Sequence, residues 1–247
     1  MTTPALFAGR KPMIGMVHLL PLPESPRFGG DVDAIYRQAR ADAGGLIDAG
    51  IDALIVENLG DEPYLPGEPT PAQLAVMAGV AATIRAMTAL PLGVNVQFNA
   101  YRAEIALAYA CRAQFVRVEV FVDTVISAQG LIHPCSAQIT RYRQMLGAAD
   151  LQLWADIQTK YTRNLLEQPL IDSARDAQNA GADVLIVTGV ATGQATPLDA
   201  VAEVKRVVSV PVVVGSGTTP DSLPDVLRVA DGAIVGSALK VGGRAEN

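Results

Sequence analysis

The chain is short of several residue types, and each shortage removes a class of function. Its two cysteines, Cys111 and Cys135, offer neither a disulfide framework nor a metal-ligand spacing, which suits a reducing, cytoplasmic setting. With only two histidines, His18 and His133, there is no HExxH pair, and GxSxG, Walker GxxxxGK[ST] and CxxC sequences are also missing. Charged residues make up 18%, the net charge is −6 and no basic run occurs, so nucleic acid and anionic membrane surfaces are poor partners. The longest stretch free of Asp, Glu, Lys and Arg, 124–140, is too polar to cross a bilayer, and no transmembrane segment is expected. The N-terminal residues lack the apolar block of a secretory signal.

What the chain has is apolar surface. Half of its 247 residues are hydrophobic, enough for one large α/β domain over 1–247. Runs rich in β-branched and apolar residues occur at 13–18, 53–57, 92–97, 115–120, 151–157, 184–188, 212–215 and 232–235, with helical patterns in the longer intervals. Near-continuous apolar strands separated by helices indicate a parallel sheet covered on its outer face. Eight such units predict a (β/α)8 TIM barrel, with an open doubly wound sheet as the alternative. Thr70, Thr196 and Thr219 each precede a proline and are expected to cap helices, with Gln73 completing a capping box on Thr70. Gly50 and Gly181 fit helix-terminating positions. Beyond the eighth strand lie residues 236–247, where Gly242 and Gly243 oppose a helix, so the closing helix is expected to be short or absent. Apolar surface outside strands eight and one would then face water and favour a homo-oligomer.

Connections from strand to helix are the long ones, 19–30, 58–69, 121–133 and 158–169, which places the chemistry at that end of the barrel. Two small-residue turns, Gly215, Ser216 and Gly217 after strand seven and Gly236 and Ser237 after strand eight, sit where this fold holds phosphate. Tight turning alone is the other explanation of those glycines. Thr188, Gly189 and Gly193 after strand six are further candidate donors, so a small phosphorylated metabolite is the expected partner.

Polar residues near the strand ends point toward the mouth: His18, Glu57, Asn95, Gln97, Glu119 and Asp156, with Lys160 slightly beyond strand five. Glu57 and Asp156 suit acid and base roles or a hard cation such as Mg²⁺. Lys160 suits an electrostatic clamp, a base or a Schiff-base amine, or else lies on the surface. His18 suits substrate binding or proton transfer, or a hydrogen-bonded core position. Glu119 is either catalytic or the partner of Arg117 in a structural ion pair, since alternation puts both on one face. Asn95 and Gln97 are candidate substrate contacts.

The segments IGMVHLLPLPESP, VENLGDEPY, VNVQFN, FVRVEV, DVLIVTGVATG, VVVGSG and ADGAIVGSALK resemble the BtpA/SgcQ family of barrel proteins, from Met13 to Lys240. The resemblance implies a phosphate-binding-type TIM barrel. One member of that family is tied to photosystem I biogenesis, and others look like sugar-metabolism proteins. It therefore implies either an enzyme of the lyase, isomerase or hydrolase kind acting on a sugar phosphate, or a non-catalytic biogenesis factor. His18, Glu57, Asp156, Lys160 and the phosphate glycines match the family pattern. Phe98, Ala100, Ala128 and Tyr161 depart from it by removing charged or basic groups, which implies altered substrate choice or ligand binding without the ancestral activity.

Overall fold

The structure, a computed structural model, describes residues 4–189 and 194–243. Eight parallel strands close a barrel: β1 (Met13–His18), β2 (Ala53–Glu57), β3 (Leu92–Asn95), β4 (Phe115–Val118), β7 (Gln152–Ile157), β9 (Val184–Val187), β10 (Val212–Val214) and β11 (Gly232–Val235). Neighbours around the barrel follow chain order, and β11 closes on β1 with Ile14 opposite Ile234. Three short strands, β5 (Val125–Ser127), β6 (Gly130–Ile132) and β8 (Arg163–Asn164), form a separate antiparallel sheet in the loops after β4 and β7. The open doubly wound alternative is excluded.

Among the described residues seven α-helices cover the barrel: α1 (Val32–Asp48), α2 (Pro71–Met87), α3 (Tyr101–Cys111), α4 (Ser136–Met145), α5 (Leu170–Asn179), α6 (Leu198–Val207) and α7 (Leu223–Val229). At α2 the capping box forms in full, with Thr70 Oγ1 accepting from Gln73 N and Gln73 Oε1 accepting from Thr70 N. Gly50 and Gly181 both take positive φ after α1 and α5, as a chain leaving a helix requires. The other two expected caps are displaced. Thr196 donates to Ser216 O while α6 starts beyond Pro197, and Thr219 closes a turn with Ser222 ahead of α7.

The alternation of the strands builds two apolar layers. Outward side chains pack against helices, and inward ones such as Ile14, Ile55, Ile186, Val213 and Ile234 fill the barrel. Phe115 stacks on Trp154 with ring centroids 3.9 Å apart, and the space exists because β3 has Gly93 there: a Cβ on it would lie 2.2 Å from Phe115. Phe7, in a 3₁₀ turn (Ala5–Phe7) before β1, brings its ring 5.5 Å from Trp154.

After β11 the described chain forms only 3₁₀ turns, Ser237–Leu239 and Val241–Gly243, in keeping with a short or absent closing helix. The apolar seam expected there is covered along the strands, while Leu239 of the first turn stays exposed. Ala233, Val235 and Val17 are buried, and Lys240 reaches across to Asp42 of α1 and pins the turn over the gap.

Candidate active site at the barrel mouth

The site begins where β3 and β4 stop. Both end two residues earlier than their apolar patterns suggest, because side chains take the backbone donors that a neighbouring strand would otherwise pair. Val96 N donates to Glu104 Oε1 (3.0 Å), Gln97 N to Asn58 Oδ1 (2.7 Å) and Val120 N to Asn99 Oδ1 (3.0 Å). Asn95 is wholly buried, its Nδ2 lying 2.7 Å from Glu119 Oε1, 2.8 Å from Arg117 O and 3.2 Å from Glu104 Oε1. Glu119 Oε2 accepts from Asn99 N. Gln97 turns back onto Asn95 Oδ1 (3.2 Å). These residues frame one wall of the mouth.

Arg117 of β4 is buried and sits at the centre. Its Nε and Nη2 donate to the two carboxylate oxygens of Asp156 (3.0 and 2.9 Å), and Thr159 Oγ1 donates to the same group (3.1 Å). The ion pair expected between Arg117 and Glu119 thus forms with Asp156 instead, because β7 lies beside β4 and places Asp156 at the guanidinium edge. On the other side Arg117 Nη1 lies 3.8 Å from Glu57 Oε2, an oxygen that is buried without a hydrogen-bond partner. A guanidinium between Glu57 and Asp156 does not fit a shared Mg²⁺ site. Among the described residues, no group of three or more His, Cys, Asp or Glu is placed to hold a metal ion.

Next to Glu57 and Arg117 the barrel holds a cavity of about 40 Å³, lined further by His18, Lys160, Gly215, Ser216, Gly217, Gly236 and Ser237. Glu57, His18 and Lys160 therefore share one cavity with both small-residue turns, whereas Asp156, Glu119 and Asn95 are buried outside its lining and half-buried Gln97 is not part of it. Ser216 spends its hydroxyl on Gly189 N (3.0 Å), which ties the loop after β9 to the loop after β10. Gly217 is required by close approach, since at φ +71° a Cβ would lie 2.0 Å from Gln194 O. Gly236 lies against the His18 ring, 3.1 Å from Cε1 to an added Cβ. Lys160 also borders a wider groove of about 1190 Å³, whose lining includes Gln158, Tyr161, Arg163, Thr188 and Gly189. Thr188 Oγ1 is buried there without a hydrogen-bond partner. Gly193 lies outside the described residues.

The electrostatics follow from burial. Lys160 is held below the usual lysine range, first by desolvation and then by the nearby Arg117 charge. Burial pushes Glu119 up to about 8, with the hydrogen bond from Asn95 opposing and the charge of Asp156 adding to the rise. Glu104 is raised well above its ordinary value by burial and by Glu119.

Sequence reasoning passed over Glu104, Asn58, Asn99 and the central role of Arg117. Glu104 left one signal: Leu107, Ala108 and Cys111 stand three, four and seven residues beyond it, which places it on the apolar face of α3.

A sequence profile of the BtpA family matches residues 9–247. An uncharacterized protein of Thermococcus kodakarensis is 40% identical over 240 residues, covering 96% of this chain and 90% of its own. The photosystem I biogenesis protein BtpA of Synechocystis is 34% identical over 236 residues, covering 95% and 82%. In fold, the chain is similar to an N-acetylmannosamine-6-phosphate 2-epimerase from Clostridium perfringens, with TM-score 0.61, 15% identity and 97% and 93% of the two chains covered. It is also similar to (S)-3-O-geranylgeranylglyceryl phosphate synthase from Thermoplasma acidophilum, in complex with sn-glycerol-1-phosphate, with TM-score 0.63, 17% identity and 100% and 95% covered.

Proposed function

The chain belongs to the BtpA family, and on that premise we propose that its barrel mouth is the active site of an enzyme acting on a small phosphorylated, sugar-type metabolite. The observation that carries this reading is one cavity bounded by the turns after β10 and β11 and by Glu57, Arg117 and Lys160. Backbone amides of Gly217, Gly236 and Ser237 receive the phosphate, at the position where this barrel type holds it, while Gly215 N donates to Val187 O and fixes the start of the turn. Glu57, with an unsatisfied buried oxygen, moves the proton, and His18 beside Gly236 orients the ligand. Arg117 offsets the ligand's negative charge, and Lys160 lines the same cavity. Asp156, Glu119, Asn95 and Gln97 position these groups, and Thr188 and Gly189 line the groove that takes the rest of the molecule. The two barrel enzymes similar in fold are both named for phosphorylated compounds, which supports the substrate class.

Inorganic phosphate provides the test. At about 100 times its dissociation constant a ligand adds about 2.7 kcal/mol of stability, readable as a thermal shift. Ser237→Asp places a carboxylate in the cavity and removes that shift. Equal shifts in both proteins contradict the reading.

A scaffold role, of the kind the name of the Synechocystis relative suggests, would instead use the ledge outside the mouth. Ile126, Leu131, Leu165 and Leu166 are exposed there, and we assign self-association of the chain to the same surface. Sedimentation of Leu166→Lys beside the parent protein tests it. No helix among the described residues is long and apolar enough to cross a membrane. The buried thiols of Cys111 and Cys135 suit a reducing, cytoplasmic compartment.

A further inference from the structure

We propose that Lys160 is a covalent, imine-forming residue, so that the substrate is a phosphorylated aldehyde or ketone in its open-chain form; this rests on the phosphate reading of the cavity. The chain has four lysines, and the other three are anchored elsewhere. Lys11 donates to Leu227 O, Lys205 pairs with Asp231 and Lys240 pairs with Asp42. Lys160 alone of the four lines the mouth cavity, opposite the two small-residue turns and beside Glu57.

The backbone is shaped to bring it there. Gln158 and Tyr161 bracket Lys160 at φ +50° and +61°, a left-handed conformation that costs roughly 1 kcal/mol or more for a residue with a side chain. Two such residues around a single lysine are hard to explain by turning alone, because the chain could turn more cheaply with glycine. The surroundings also favour the reactive state of the amine. Burial disfavours the ammonium form, and the neighbouring Arg117 cation disfavours it further. The charges of Glu57 and, less strongly, Asp156 work the other way; Asp156 is already bound on both oxygens by Arg117, and Glu57 is the group that exchanges protons with the amine.

The step balances within the site. The Nζ lone pair attacks the carbonyl carbon, a C–N bond forms and the carbonyl π pair moves to oxygen, which takes the proton that the nitrogen gives up. The carbinolamine then loses its hydroxyl as water, with Glu57 supplying the proton that departs with it and recovering one from the nitrogen. The net change is amine plus carbonyl to imine plus water, with no oxidation or reduction. When Glu57 returns a proton to its nitrogen, the imine becomes an iminium that withdraws electrons from the adjacent carbon, which serves isomerisation and carbon–carbon cleavage alike.

Glycolaldehyde phosphate with cyanoborohydride is the probe, since hydride reduces the imine and fixes the adduct as a secondary amine. Peptide mass spectrometry then reads all four lysines in one sample. The expected result is labelling of Lys160 above the three anchored lysines by about tenfold or more, suppressed by inorganic phosphate. Lys160→Arg should lose that label while keeping its phosphate thermal shift, which separates loss of the amine from loss of the fold. Even labelling of all four lysines, in a protein that phosphate still stabilises, overturns the imine and leaves the phosphate reading intact. Selective labelling of Lys160 that phosphate does not reduce keeps the reactive amine but overturns the phosphate reading and the substrate class drawn from it.

Discussion

Arg117 meets Asp156 edge to edge, Nε to Oδ1 at 3.0 Å and Nη2 to Oδ2 at 2.9 Å, and that pairing decides which carboxylate at the mouth remains available. Asp156 is saturated, while Glu57 on the far side of the guanidinium keeps one oxygen without a hydrogen bond. Two acids that look equivalent in sequence are divided by one arginine.

The pair is buried, so breaking it from one side should be expensive. Asp156→Asn leaves the buried guanidinium with Glu57 alone, 3.8 Å away and without a hydrogen bond, and the expected loss is about 3–5 kcal/mol in urea unfolding. A loss below about 1 kcal/mol, the range of an exposed ion pair, would mean that Arg117 is solvated in the folded protein.

Glu104 and Glu119 set a pH dependence whose sign follows from their raised folded values. Each is stabilised as the neutral acid, so their contribution is full below the ordinary value of 4.5 and is lost as pH rises, for Glu119 through about 8. Asn95, Asn99, Arg117, Asp156, Glu68 and the Cys135 thiol are among the polar and titratable neighbours of this pair. Glu104→Gln keeps an acceptor for Val96 N and cannot ionise. Its stability should fall less than that of the parent between pH 5.5 and 8.5, and parallel losses in the two proteins would show that Glu104 does not titrate in this window.

Gly9 and Gly217 share nearly the same φ, +72° and +71°, but a Cβ on Gly9 meets nothing within 4 Å and one on Gly217 meets Gln194 O at 2.0 Å. Gly9→Ala should cost only the left-handed conformation, about 1 kcal/mol. Gly217→Ala should cost about 2 kcal/mol more, because backbone must shift. Thermal denaturation of the two variants side by side tests this, and equal losses would mean the two loops are free to separate.

Much of the barrel was legible because parallel strands covered by helices are written as apolar runs, and β1, β2 and β11 begin and end where those runs do. The small antiparallel sheet was not, since β5, β6 and β8 are only two or three residues long and lack a usable alternation. At the site, strand-end positions located His18, Glu57 and Lys160 at the cavity. The same rule placed Asn95, Glu119 and Asp156 at the mouth without revealing that they bind one another, because pairing across β3, β4 and β7 depends on register. Glu104 comes from a helix that crosses behind the sheet, a contact that spacing along the chain does not encode. The anchoring of Lys240 on Asp42 is likewise a contact between residues far apart in sequence, and it closes the seam that local reasoning left open.

The central claim is that the turns after β10 and β11 receive a phosphate. Amide-resolved ¹H–¹⁵N spectra recorded during titration with inorganic phosphate test it most directly. Saturable shifts are expected at the amides of Gly217, Gly236 and Ser237, with smaller changes at His18 and at Gly215, whose N–H is held by Val187 O. Shifts confined to other parts of the surface, or none at these amides under saturating phosphate, would contradict it.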